Sequence, residues 1–93
     1  MLFDPLLHQG IRSKLVSLLI TNEEMPFKAL KDVLSVTDGN LSSHLTKLEK
    51  ESYIVIEKTF EGKRPKTVVK ITPTGREAFE SYIEALKHFI EEN

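Results

Sequence analysis

Residues 37–51, TDGNLSSHLTKLEKE, decide how this chain is read. Leu41, Leu45 and Leu48 fall at i, i+4 and i+7, one stripe of a helix made for burial. Thr37 can cap that helix through its hydroxyl, and Asp38 in the first turn suits the positive end of the helix dipole. The other positions near its start are Gly39, Asn40, Ser42, Ser43 and Thr46. Each gives up roughly 0.3–1 kcal/mol of helix propensity against alanine, so these are poor choices for a merely solvated surface. With side chains stepping about 100° per residue, Gly39, Ser43, Thr46, Lys47 and Lys50 lie opposite the leucines. Asn40 and Ser42 sit on the outward flanks, and His44 borders the core. A helix entering a major groove must come close to base edges, and short hydroxyl, amide and glycine positions at its front allow that. The same residues admit a plainer role, with Ser and Asn as local caps, Gly39 relieving crowding in the turn, His44 packed beside the leucines and the lysines as solvated surface.

Working outward, Ser35, Val36 and Thr37 form a connection too short for anything but a steep crossing with the preceding helix, expected over about 27–34. Phe27, Leu30, Val33 and Leu34 form the apolar face of that helix, and Pro26 lies near its start. Two helices so joined make a helix-turn-helix. Upstream, Asp4 as a cap and Pro5 at the first helical position predict a first helix with Leu7, Ile11, Leu15, Leu18 and Leu19 on one stripe, ending at Thr21 and Asn22. Downstream the pattern changes to period two. Residues 53–60 and 66–71 are rich in β-branched and aromatic side chains, and residues 61–65, containing Gly62, read as the turn between them. Thr72 and Pro73 repeat the cap-then-proline signal and open a last helix over about 73–91, with Phe79, Ile83, Leu86 and Ile90 on one stripe that Tyr82 and Phe89 widen.

The hairpin tip brings Lys63, Arg64 and Lys66 together, with Pro65 stiffening the second arm. Cations on a loop beside a helix-turn-helix can contact phosphates flanking the groove, or Arg64 can enter the minor groove. The alternative is a charged tip that only protects the hairpin end from aggregation. Net charge is -1, which argues neither way, but its distribution is polarised. Between residues 58 and 70 five cations, Lys58, Lys63, Arg64, Lys66 and Lys70, face the single anion Glu61, whereas residues 76–93 carry an acidic excess.

Ninety-three residues with 40% hydrophobic and 29% charged are the profile of one small domain, residues 1–93, with one core. A core of this size is marginal, so a partner subunit would help. The absence of cysteine excludes disulfides, thiolate nucleophiles and the usual zinc ligands. His8, His44 and His88 stand far apart, without ligand spacing, so no metal and no cofactor is expected. Ser42, Ser43 and His44 diverge around the helix and cannot pair as nucleophile and base, and no glycine-rich phosphate loop accompanies them, so an enzyme is not expected. The longest apolar run, residues 15–20, is broken by Ser17 and too short to span a bilayer. The start carries Asp4 and no basic segment ahead of a hydrophobic one, so no membrane association is expected and the cytoplasm is the default location.

Three segments together carry a family likeness: VTDGNLSSHLTKLEKESYI at residues 36–54, FEGKRPKTVVKITPTGREAF at residues 60–79 and, more weakly, LLHQGIRSKLVSLL at residues 6–19. With them the chain resembles the compact winged-helix transcriptional regulators of the MarR and ArsR groups, particularly small single-domain prokaryotic forms. The resemblance implies a mainly α (α+β) winged helix-turn-helix, with a three-helix core, a two-stranded β-hairpin wing and a long C-terminal dimerisation helix. It implies sequence-specific binding of double-stranded DNA by a homodimer, with the recognition helix, residues 38–51, in the major groove. Asp38, Gly39, Asn40, Ser42, Ser43, His44, Thr46 and Lys47 are the positions it assigns to DNA there. The wing, residues 60–67, would contact the flanking backbone or the minor groove through Lys63, Arg64, Pro65 and Lys66. It places the first and last helices at a dimer contact, with Phe3, Leu7, Phe79, Tyr82, Ile83, Leu86, Phe89 and Ile90 as interface residues. Ser35 and Ser52 stand where such proteins often have glycine. The cysteines with which ArsR-like sensors bind metal are absent, as are the extra helices that enclose effectors in larger MarR-like proteins, so the resemblance leaves a small-molecule effector open. A protein interaction module within a larger assembly is the alternative, since winged helices also join subunits.

Overall fold

Leu41, Leu45 and Leu48 are buried, as their spacing requires, at the centre of a core completed by Leu7, Leu15, Leu19, Leu30, Ile54 and Val69. The computed structural model describes residues 3–92; residues 1, 2 and 93 of the expected domain lie outside the described residues. The elements are α1 (Gly10–Asn22), β1 (Glu24–Pro26), α2 (Phe27–Leu34), α3 (Asp38–Lys50), β2 (Ile54–Glu61), β3 (Arg64–Ile71) and α4 (Pro73–Glu92). This is a winged helix with a three-helix core, a hairpin wing and a long last helix.

The first helix begins later than expected. Asp4 does cap, its Oδ1 accepting from the Leu6 and Leu7 amides at 2.9 and 3.4 Å, but it organises only a single turn, closed by the His8 amide on the Asp4 carbonyl at 2.8 Å. The chain then extends at Gln9, with φ -149° and ψ 127°, and α1 starts afresh under the Gln9 side chain, which accepts from the Arg12 amide at 2.8 Å. The sequence signal was real and local. Leu7 is still fully buried, carried into the core by that first turn.

The third strand is an addition to the expected pair. β1 lies antiparallel to β3 with Glu24 opposite Lys70, Met25 opposite Val69 and Pro26 opposite Val68, so the sheet order is β1-β3-β2. Three residues are too few to show a period. Pro26 gives the only hint, because it forces Met25 out of helical conformation. The hairpin turn is also tighter than the expected residues 61–65. Glu61 pairs with Arg64, leaving Gly62 and Lys63 as a two-residue loop in which only Gly62 has positive φ, 65°. That is the pattern of a turn whose twist matches the flanking strands. Arg64 and Pro65 belong to β3, and Pro65 is tolerated because it lies beyond the stretch of β3 that β1 covers.

Ser35 and Ser52, where the resemblance led to an expectation of glycine, both adopt the left-handed conformation. Ser35 has φ 54° and ψ 47°, and the two bonds Ser35 N–H to Asp32 O and Val36 N–H to Lys31 O, each 3.3 Å, close α2. Ser52 has φ 63°, and Ser52 N–H to Glu49 O at 2.9 Å with Tyr53 N–H to Leu48 O at 3.0 Å closes α3 in the same way. Each is the six-to-one, five-to-two pair of a Schellman motif, so the serines preserve the turn geometry. Thr72 opens α4 as its proline partner suggests, its Oγ1 accepting from the Gly75 amide at 2.9 Å.

Candidate nucleic-acid interface

Thr37 Oγ1 accepts from the Asn40 amide at 3.1 Å and sets the start of α3. With the leucines turned inward, Asp38, Gly39, Asn40, Ser42, Ser43, Thr46 and Lys47 are all exposed, and His44 is half-buried. Among the described residues none covers that outer face. Asp38 pairs with Lys31 of α2 at 2.8 Å across the turn, so its carboxylate is committed to the helix-turn-helix junction. Thr46 Oγ1 donates to the Ser42 carbonyl at 2.9 Å.

The helix has two unlike flanks. Ser42 and Thr46 face the sheet, lining a cleft of about 290 Å³ with Phe27, Ile56, Lys58 and Thr67. His44 and Lys47 face α1. Here the sequence reading missed a partner: Arg12 Nη1 lies 3.2 Å from His44 Nδ1, and Arg12 Nε donates to the Leu6 carbonyl at 2.6 Å. A guanidinium has no acceptor, so His44 Nδ1 must accept and the ring must be neutral. Burial, and then the charges of Arg12 and Lys47, hold the His44 pKa below the ordinary imidazole value. Arg12 is 32 residues from His44, beyond the reach of any spacing rule.

On the wing, Lys63, Arg64 and Pro65 are exposed and Lys66 is half-buried. The five cations of this region are unequal. Lys66 pairs with Glu61 at 2.9 Å, and Lys70 with Glu57 at 3.0 Å and Glu24 at 3.8 Å. Glu57 chiefly, with Glu24, raises the Lys70 pKa. Among the described residues no ion pair engages Lys63 or Arg64, so the uncompensated charge of the hairpin is concentrated at its tip, with Lys58 exposed farther back.

The residues expected at a dimer contact divide into two groups. Leu7 is fully buried and Tyr82 is 8% exposed, so both side chains are packed in the chain's own core. Phe3 stacks on His8 at 4.7 Å and meets the Tyr82 and Phe89 rings edge-on at 6.1 and 5.9 Å. Phe79 and Leu86 are half-buried, and with Leu18, Val33 and Ile83 they line a groove of about 460 Å³ between α1, α2 and α4. Ile83, Phe89 and Ile90 are exposed.

Among the described residues no helix is long and apolar enough to cross a membrane, and no group of three His, Asp or Glu residues is placed to hold a metal ion.

Comparison with known proteins places this geometry. The family model described as a winged helix DNA-binding domain matches residues 11–90. An uncharacterised protein of Methanocaldococcus jannaschii is 44% identical over 73 residues, covering 78% of this chain and 79% of that one. The solved structure of a transcriptional regulator homologue from Pyrococcus horikoshii superposes with a TM-score of 0.89 at 32% identity, covering 94% of this chain and 86% of that one. A MarR-family transcriptional regulator from Silicibacter pomeroyi, at 18% identity and a TM-score of 0.68 over 89% of this chain and 55% of that one, shares the fold.

Proposed function

The chain belongs to the family of winged helix DNA-binding domains, and on that premise we propose that it is a homodimeric transcriptional regulator that binds double-stranded DNA sequence-specifically. In this reading residues 1–93 act as one domain. The recognition helix α3 enters the major groove, and the wing lies on the flanking backbone or in the minor groove. The observation that carries it is the outer face of α3: Gly39, Asn40, Ser42, Ser43 and Thr46 are exposed together, although these small polar residues cost helix propensity, and the exposed Lys47 lies beside them. Lys63 and Arg64, without ion pairs among the described residues, supply the sequence-independent attraction that the net charge of -1 does not. The acidic residues of α4 lie away from this surface in sequence and on a different element.

The apolar surface left on α4 supports homodimerisation. Ile83 and Ile90 are 39% and 64% exposed on the helix that carries the groove with α1 and α2. A twofold dimer would set two recognition helices on palindromic half-sites roughly 34–36 Å apart, one turn of the duplex. Selection from random duplex DNA, followed by footprinting at several salt concentrations, tests the whole reading. An enriched palindrome with one-turn spacing is expected; recovery of unenriched sequence sinks base reading. Sedimentation of the unaltered chain as a monomer at every concentration removes the dimer.

The exposed isoleucines of α4 also favour a second reading, a protein interaction module without DNA reading. It gains if a single stoichiometric protein partner is found and no salt-dependent duplex binding occurs.

A further inference from the structure

The flank of α3 turned towards α1 is itself a built cationic site. A cleft of about 600 Å³ opens there, lined by Arg12, Lys47 and Lys50 together with Asp4, Glu51 and Tyr53. Arg12 is pre-organised within it: Nε is held by the Leu6 carbonyl at 2.6 Å and Nη1 by His44 Nδ1 at 3.2 Å. A guanidinium has five N–H donors in a fixed fork, and those of Arg12 not engaged by Leu6 and His44 have no acceptor among the described residues. Lys47 and Lys50 are exposed, and no ion pair among the described residues engages either.

The two carboxylates of the cleft do not cancel this. Asp4 is committed elsewhere, Oδ1 to the Leu6 and Leu7 amides and Oδ2 to the Tyr53 hydroxyl at 2.5 Å. Glu51 remains exposed on the rim and leaves one unit of positive charge in excess once both acids are set against the three cations. That His44 is driven towards its neutral form by Arg12 and Lys47, after burial, reports the same positive field.

A helix lying in a major groove has a wall of phosphates on each side. The wing stands on the Ser42 and Thr46 flank, and this cleft on the His44 and Lys47 flank. We propose that Arg12, Lys47 and Lys50 form a second phosphate-binding site, which takes a backbone phosphate of the duplex on the groove wall opposite the wing. The proposal rests on the duplex-binding reading and adds Arg12, from outside the helix-turn-helix, as its anchor. His44 is a positioning residue here, holding the guanidinium fork in place. Two anchors on opposite walls fix the register of the helix between them, as phosphate contacts do in protein–DNA interfaces generally.

The test is fluorescence anisotropy of the full chain with a labelled mixed-sequence duplex across a salt series. Lys50→Ala and Arg12→Ala should each weaken binding several-fold, and their combination should lower the slope of log K against log salt by about 0.9 for the phosphate released. Arg12→Lys, which keeps the charge and loses the fork, should retain the slope and lose part of the affinity. If Arg12→Ala fails to fold, Lys50→Ala and Lys47→Ala carry the test, since neither side chain makes an internal hydrogen bond or ion pair among the described residues. Lys87→Ala, exposed on α4 and outside both this cleft and the groove between α1, α2 and α4, should leave the slope unchanged. A slope insensitive to Arg12 and Lys50 but reduced by Lys63→Ala and Arg64→Ala overturns the second site and leaves the regulator intact. An equal loss from Lys87→Ala, which would mean diffuse attraction, also overturns it. Absence of salt-dependent binding by the unaltered chain sinks both proposals.

Discussion

The main-chain carbonyl of Tyr53 lies so close to the Cα of Gly75 that any side chain at residue 75 would overlap the carbonyl oxygen, with the carbonyl carbon 2.9 Å from the added Cβ. The same carbonyl accepts from the Thr72 amide at 3.1 Å and from Thr72 Oγ1 at 3.0 Å. The end of α3 and the start of α4 are therefore pinned at one peptide, and the pin requires glycine.

Gly75→Ala should destabilise the fold by about 1–3 kcal/mol, because the overlapping atom is backbone and cannot rotate away. Urea unfolding followed by circular dichroism reads this directly. Gly10→Ala, where an added Cβ meets nothing within 4 Å, is the control and should be neutral or slightly stabilising. Equal stability of Gly75→Ala and the parent chain would contradict the packing described.

Ser52→Gly should stabilise. At φ 63° the serine Cβ crowds its own carbonyl, a cost of roughly 1–2 kcal/mol that glycine removes, less about 0.5–1 kcal/mol for the greater freedom of the unfolded chain. A net gain of up to about 1.5 kcal/mol is expected, and Ser35→Gly at φ 54° should behave alike. Loss of stability at either position would show that the serine makes a contribution beyond its backbone.

Wing and helix variants should separate. Lys63→Ala with Arg64→Ala is expected to weaken binding to every duplex and to reduce the salt slope by about 0.9 for each phosphate that is no longer neutralised. Lys66→Ala should do less, because Glu61 already neutralises that ammonium at 2.9 Å. Asn40→Ala or Ser43→Ala should instead change preference between sites, by roughly 1–3 kcal/mol for each base edge no longer read, at nearly constant salt slope. A competition assay over a panel of single-base variants distinguishes the two patterns.

Tyr53 predicts the alkaline behaviour of the fold. Burial, followed by the Asp4 carboxylate that its hydroxyl donates to, pushes its pKa from 10.0 up to about 12. Between these values the unfolded chain has lost the proton and the folded chain still holds it, so stability falls as pH rises from about 10 to about 12. Tyr53→Phe should flatten that decline relative to the parent chain, which thermal melts at a series of pH values measure. An identical slope in the two proteins would remove Tyr53 as its source.

Much of the architecture was legible because it is written in local periods. The leucine spacing in α3, the Thr37 and Thr72 caps and the β-branched runs each act within a few residues, and each is found where its local chemistry puts it. The Asp4–Pro5 signal misled about α1 for the same reason: a cap specifies one turn, and Gln9 then supplied a stronger start for the helix. What escaped the sequence is long-range. β1 is too short for a period and exists because β3 offers it an edge, while the Arg12–His44, Asp4–Tyr53 and Tyr53–Gly75 contacts join positions that only the folded topology brings together. The pairing of Lys66 and Lys70 with acids likewise could not be weighed from a charge count.

The reach of β1 divides the hairpin mechanically. It backs β3 only at Val68, Val69 and Lys70, so the sheet has a clamped three-stranded root and a two-stranded overhang from Arg64 to Thr67. Isolated two-stranded ribbons are marginal in water, so bending stiffness falls off along the overhang. The hairpin is a cantilever whose cationic tip can follow an uneven surface while its root keeps the helices aligned.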